Sequence, residues 1–338
     1  MKIDRVAWVD IARAFGIIAV IYGHTLTWDS HRYLLYAFHI PLFFFISGFV
    51  HHYKKSQHFK NVLIKSIKNN LIPYFIFALL TFFVVLLSQG FKGLTLYNFG
   101  YQVLGILYGS GNMHFLSFNV ALWFLPCLFI TKLAFFLLEK ISNSKKFLTL
   151  SLITFSIAGY ISSIYFTEVK LPFGLEIALT GIVFFGFGYL SGQRRERITI
   201  LTKKYWLIIL PVAILTCIYT ATLNYDMYGY QIDLRLNKLA NYFYFYLAAA
   251  SGIIACITAS MLINRNRVLE YIGQNSLILY VWQWIALSNI SRITKEVIIP
   301  TNNIQNIYLA PIYTTLATGI ILFINNIYQK LKPIKNSS

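Results

Sequence analysis

Residues 8–28 read WVDIARAFGIIAVIYGHTLTW. The stretch is mostly apolar and long enough, as a helix, to cross a hydrocarbon core of about 30 Å. It nevertheless carries Asp10, Arg13 and His24. No A-x-A-like cleavage site follows it, so it reads as a retained membrane helix rather than a signal peptide. Continuous apolar runs of the same kind recur downstream. With the first they predict ten spans, at 8–28, 34–52, 71–88, 120–138, 147–166, 173–191, 205–222, 241–263, 276–290 and 308–329. The ninth is short. The apolar stretch 100–110 is too brief to span and reads as interfacial or re-entrant. None of these runs shows the two-residue alternation of a barrel strand, so helices are the only way to satisfy the backbone in lipid.

Composition agrees. Residues of the AVILMFWYC class make up 57% of the 338 and DEKR only 12%, against about 25% charged in a soluble domain. With a mean hydropathy of +0.62, a water-soluble globule, a disordered chain, collagen and a disulfide-stapled scaffold are excluded. Cys127, Cys217 and Cys256 lie inside apolar runs without a CxxC pair and read as buried hydrophobes. No Gly/Ser or Pro-rich linker, internal repeat or soluble-domain-sized loop interrupts the pattern. The expectation is an all-α integral membrane protein of about ten transmembrane helices, one membrane domain over 1–338.

The formal net charge of +18 raises the question of nucleic acid, and the placement of the charges answers it. With ten spans, 20 Lys and Arg fall on the side of the N-terminus, among them Lys2, Arg5, Lys54, Lys55, Lys65, Lys68, Arg194, Arg197, Lys332 and Lys335. Seven, including Arg32, Lys92, Arg235 and Lys295, fall on the other. Arg13 and Lys132 fall within spans. The alternation, loop by loop, predicts cytoplasmic N- and C-termini and explains the excess charge as topology signal and attraction to anionic lipid. A nucleic-acid partner is not expected.

Ionisable groups at membrane depth are expensive and mark function. His24 follows Arg13 by eleven residues, which brings the two to within about 20° of one another around the helix and about 16 Å apart along it. Asp10 sits one turn before Arg13, placed for an i,i+3 pair. The second span, in FHIPLFFFISGF at 38–49, adds His39 towards its outer end and Ser47 towards its inner end, where Ser47–Gly48 also suits close helix packing. KSIK at 65–68 sets Lys65 and Lys68 at a cytoplasmic helix start, suited to phosphate or to a solvated face. Trp123 in ALWFLPCLF, Glu176 after LPFG, and Asn275, Tyr280 and Gln283 in LEYIGQNSLILYVWQW complete the candidates. No nucleophile elbow, Walker loop, dinucleotide fingerprint or metal-spaced His/Cys set is present, so metal, nucleotide-hydrolysing and dinucleotide chemistry are not expected.

In order along the chain, these segments resemble the membrane-bound acyltransferase 3 family, and within it the fucose 4-O-acetylase-like and polysaccharide O-acetyltransferase branch. Arg13 and His24 match an R-x10-H pattern inside DIARAFGIIAVIYGH. FHIPLFFFISGF, ALWFLPCLF, LPFGLEIALTGIVFFGFGYL and LEYIGQNSLILY resemble later signature segments. Two positions depart from the pattern: KSIK stands where members usually have R-x-x-R, which keeps charge but loses bidentate geometry, and Gln283 stands where relatives often carry His.

The resemblance implies transfer of an acetyl group from cytoplasmic acetyl-CoA, the donor rather than a resident cofactor, to a hydroxyl of an extracytoplasmic polysaccharide or lipid-linked glycan precursor, at the plasma membrane. It implies donor binding by Arg13, Lys65 and Lys68 and general-base catalysis by His24, through direct transfer or an acetyl-histidine. Asp10, His39, Ser47, Trp123, Glu176, Asn275 and Gln283 would support the site or line its cavity. The alternatives are a glycan exporter without acyl transfer, or the same enzyme class with a succinyl donor or an amine acceptor.

Overall fold

The computed structural model describes residues 6–26, 31–51, 58–88, 90, 95–111, 116–142, 144–294 and 308–331. Of the charges that set the expected topology, Lys2, Arg5, Lys54, Lys55, Lys92, Lys295, Lys332 and Lys335 lie outside them, as do the ends of the first two expected spans beyond Leu26 and His51.

The described residues form helices and no strand; the only bridge among them joins Asp233 and Lys238. In chain order the helices are α1 (Ala7–Thr25), α2 (Arg32–Tyr36), α3 (His39–Phe49), α4 (Phe59–Ser66), α5 (Ile72–Ser88), α6 (Leu96–Tyr108), α7 (Phe124–Ile141), α8 (Lys145–Tyr165), α9 (Leu175–Gly192), α10 (Arg195–Tyr228), α11 (Tyr242–Ile263), α12 (Arg267–Gln274), α13 (Ser276–Ile293) and α14 (Ala310–Leu331).

Nine helical segments among the described residues are long and apolar enough to cross a bilayer. They correspond to every expected span except 276–290. That span exists as the helix α13, packed on α1 and α14, but Gln283, Ser288, Asn289, Ser291 and Arg292 leave it more polar than the rest. The chain is an all-α, multi-pass membrane protein. The stretch 100–110 lies in α6, whose 13 residues make it about 20 Å long, too short to span. α10 runs from Arg195 to Tyr228 where the sequence pattern predicts 205–222, and bends at Tyr205 (φ −115°, ψ 18°).

α1 is the central helix. It packs against α3, α11, α12, α13 and α14, and Ile11, Ala12, Ala14, Ile17 and Ile21 are fully buried. A polar group on this helix is therefore aimed at protein, not lipid. Exposed apolar surface lies on α5, α8, α10 and α14 among others, where Leu79, Phe83, Ile153, Ile157, Leu207, Leu215, Leu316 and Phe323 are exposed.

Apolar transfer does not drive helices together inside lipid, so close packing must. α3 and α9 run parallel in backbone contact. A Cβ added at Gly48 would lie 1.9 Å from the Phe185 carbonyl oxygen, and one at Gly188 would lie 2.0 Å from that of Phe45. Only glycine fits at either position, which is the close-packing role that Ser47–Gly48 suggests, carried by Gly48.

Candidate functional site

Take the side on which α1 begins as the lower side. Two cavities open at opposite ends of this helix.

The lower cavity, of about 260 Å³, is lined by Arg13, Ser47, His51, Lys65 and Lys132 among others. Arg13 Nη1 donates to Asp10 Oδ1 at 2.9 Å, the expected i,i+3 pair. Asp10 is almost wholly buried, because α12 crosses α1 at that point. A Cβ at Gly273 would meet the Asp10 carbonyl oxygen at 1.8 Å, and Gln274 Nε2 donates to Asp10 Oδ2 at 3.4 Å. The useful residues of LEYIGQNS are thus Gly273 and Gln274. Asn275, expected to line the cavity, instead terminates α12: its Nδ2 donates to the Tyr271 carbonyl and its Oδ1 accepts from Asn325.

Lys132 is a site residue that sequence reasoning places in a span and passes over. It projects from α7 into the lower cavity, and its Nζ donates to Asn70 Oδ1 at 3.1 Å. Asn70 is buried and lies in a π-helical segment, Ile67–Leu71, inserted between α4 and α5. Such bulges re-aim side chains and are frequent at functional sites. This one also separates Lys65 from Lys68: the wider turn breaks their i,i+3 register. Lys65 lines the cavity; Lys68 does not and is exposed. In place of the expected Arg13, Lys65 and Lys68, the structure brings together Arg13, Lys65 and Lys132. The signal that could have found Lys132 is the one that singles out Arg13, a cation inside an apolar run.

The upper cavity, of about 280 Å³, holds His24, His39, Trp123 and Tyr280 of the candidate residues. His24 is half-buried, and its ring meets Tyr36 and Trp284 edge-on at centroid distances of 6.3 and 6.0 Å. Among the described residues its nitrogens have no hydrogen-bond partner, so both remain available to the cavity. His39 Nδ1 is 2.6 Å from the Leu35 carbonyl, which can only accept; Nδ1 therefore carries the proton. Trp123 ends a 3₁₀ turn, Val120–Trp123, tied to α13 by Asn119 Nδ2 donating to the Val281 carbonyl at 2.9 Å.

The remaining wall has no counterpart among the sequence candidates. It comes from Arg32 and from the 229–241 connection between α10 and α11, which supplies Asp233 and Arg235. This connection is folded over the cavity rather than trailing in solvent. Arg235 donates to Asp233 Oδ2 at 3.2 Å and to the Gly111 carbonyl at 3.1 Å. Lys170 Nζ donates to the Leu236 carbonyl at 2.9 Å, and Asn241 caps α11 through the Phe243 and Tyr244 amides. Burial draws the Lys170 ammonium down from its ordinary pKa.

Two further expected supporting residues, like Asp10 and Asn275, line neither cavity. Glu176 is buried at the start of α9, where its Oε2 accepts from the Leu171 amide at 3.1 Å and holds the turn before the helix. Gln283 is fully buried on α13 with no hydrogen-bond partner among the described residues for either amide atom.

The cavities share no lining residue. Gly16 lies between Arg13 and His24 on the α1 stripe, and the Phe43 ring packs against it, 3.0 Å from where a Cβ would stand. Phe43 in turn meets Phe124 at 6.1 Å. The Phe43 and Phe124 rings thus stand between a cationic chamber below and an imidazole- and aromatic-lined chamber above.

Residues 6–326 match the family described as an acyltransferase domain, the acyltransferase 3 family. The chain belongs to it. Neither the comparison with curated proteins nor that with solved structures gives a match. Acyltransferase 3 membership makes this chain a membrane acyltransferase. Arg13 and His24 of the R-x10-H pattern open one on each chamber, at opposite ends of one buried helix.

Proposed function

We propose that this acyltransferase carries an acetyl group from acetyl-CoA, bound from the cytoplasmic lower side, to a hydroxyl of a glycan or lipid-linked glycan precursor on the outer side of the plasma membrane. The observation that carries the reading is the pairing of chambers along α1: cations at one end, and at the other an imidazole with no hydrogen-bond partner among the described residues. The excess of Lys and Arg on the lower side supports the orientation.

In this reading Arg13, Lys65 and Lys132 hold the anionic phosphates of the donor. Asp10, clasped by Gln274 and fixed by the close crossing of α12, orients Arg13. The pantetheine arm, a slender chain, passes Gly16 once the Phe43 ring turns aside, and presents the thioester to the upper chamber. His24 takes the proton of the acceptor hydroxyl, whose oxygen attacks the thioester carbonyl. The carbon–sulfur bond breaks, the proton passes to the departing thiolate, and the products are free CoA and an acetyl ester. Trp123, Tyr36 and Trp284 offer apolar ring surface for a sugar face, while Arg32, Asp233 and Arg235 offer hydrogen bonds for its hydroxyls.

Mass spectrometry of surface glycan from cells with the wild-type protein, with His24→Ala, or without it tests the assignment. The reading expects an added acetyl mass per acetylated unit with wild type only. A succinyl mass, or an acetyl amide, would replace the donor or the acceptor. Unmodified glycan in all three cells, with export lost in the variant, would replace the enzyme reading by transport.

A further inference from the structure

On the lower side α10 packs along α11 rather than along α9, and its bend at Tyr205 sets the stretch 195–204 apart from the span proper. The gap this leaves between α8, α9 and α10 is a cavity of about 480 Å³, rimmed by Lys145, Arg194 and Arg197. The charged groups of these three side chains make no hydrogen bond or ion pair with the described residues. Beneath them the wall turns apolar, through Phe187, Leu190, Ile198 and Leu201. Phe187 and Leu201 are exposed large hydrophobics immediately beside three cations.

A second cavity, of about 410 Å³, adjoins the first. Phe187, Ser191 and Ile198 line both. The second runs between α3, α9, α10 and α11 past Phe45, Phe184, Ile253 and Ile257. A cationic mouth on the lower side therefore adjoins, across the shared wall of Phe187, Ser191 and Ile198, a greasy groove between the helices. Lys and Arg on one side of a membrane protein need only a count to signal topology. A concave triad joined to an apolar groove asks for more: a ligand with an anionic head and a hydrocarbon tail.

We propose that this cleft binds one anionic phospholipid, with its phosphate held by Lys145, Arg194 and Arg197 and an acyl chain lying along α9 towards Ile253 and Ile257. Charge complementarity selects the class. A zwitterionic phospholipid brings its own ammonium into a cluster of three cations, whereas phosphatidylglycerol brings none. The site is separate from both chambers of acyl transfer and does not depend on the donor or acceptor assigned above.

The test is native mass spectrometry of the full-length protein released from detergent micelles, titrated with phosphatidylglycerol or with phosphatidylethanolamine of identical acyl chains. Wild type is expected to retain phosphatidylglycerol preferentially. Arg194→Gln with Arg197→Gln should weaken that retention roughly thirtyfold, about fivefold for each charge removed and compounded by the loss of a shared phosphate. Arg194→Lys with Arg197→Lys should keep the preference, and Ile198→Trp, which fills the junction of the two cavities, should lower retention of either lipid. Equal retention of both lipids by wild type, or a Gln variant that binds as wild type does, overturns the proposal. So does a second copy of the chain closing the cleft in place of lipid. Should the Gln variant fail to fold, a Lys variant without preference, or unchanged binding by Ile198→Trp, overturns it as well.

Discussion

Lys132 is the residue whose role turns most on three-dimensional placement. An ammonium inside an apolar helix requires a partner or an anion, and one partner of Lys132 is Asn70, a neutral amide. Arg13 pairs with Asp10, and Lys132 lines the same cavity beside Arg13 and Lys65. Lys132→Met is expected to raise the KM for the acyl donor about tenfold or more while kcat changes little, because the contact is made equally in ground and transition states. Steady-state kinetics over donor concentration checks this; an unchanged KM with a fallen kcat would move Lys132 from donor binding to the chemistry. Arg13, Asp10 and His24 are legible in the sequence because α-helical geometry alone relates them. Lys132 cannot be related to Arg13 or Lys65 in the same way, since nothing local fixes how α7 faces α1. The π turn that displaces Lys68 likewise has no sequence mark that regular periodicity would expose.

At the scale of elements, the partition on α1 decides whether two chambers can act as one enzyme. Gly16 leaves the narrowest place in the helix surface, and the Phe43 ring fills it. Gly16→Leu should therefore leave donor binding at the lower chamber intact and reduce transfer by about 100-fold, the size of effect that misplacing a reacting group by about 1 Å can produce. Calorimetric donor binding set beside an acetyl-transfer assay separates the two. Equal loss of both would mean that the substitution disturbs α1 as a whole. Phe43→Ala, by contrast, should speed hydrolysis of the donor in the absence of acceptor, as the thioester becomes accessible to water; an unchanged hydrolysis rate would place the route elsewhere. Nine of the ten expected spans are legible because length and apolarity are local properties. The folded 229–241 connection is not. Its Asp233, Arg235 and Asn237 acquire meaning only within a fold that reaches Gly111 and Ser162 and ties the α11 start to Asn224, contacts between residues far apart in the chain.

For the whole molecule, orientation in the membrane sets which chamber meets which substrate. The native cysteines lie within spans, Cys127 and Cys217 buried and Cys256 half-buried, so single introduced cysteines can report sidedness against a low background. In intact cells, Gly229→Cys on the upper side should react with a membrane-impermeant thiol reagent and Lys203→Cys on the lower side should not. The reverse pattern would place the donor chamber outside and end the cytoplasmic acetyl-CoA assignment. Above all, the proposed function has the two ends of α1 divide the labour between holding the donor and reacting with it. One paired measurement on the purified protein probes that division: donor affinity and acetyl transfer, for Arg13→Ala and for His24→Ala. Arg13→Ala is expected to lose donor binding. His24→Ala should bind acetyl-CoA as wild type does and transfer at least about 100-fold more slowly, the loss expected of a missing general base. A His24→Ala protein that fails to bind the donor, or one that still acetylates at the wild-type rate, would refute the division.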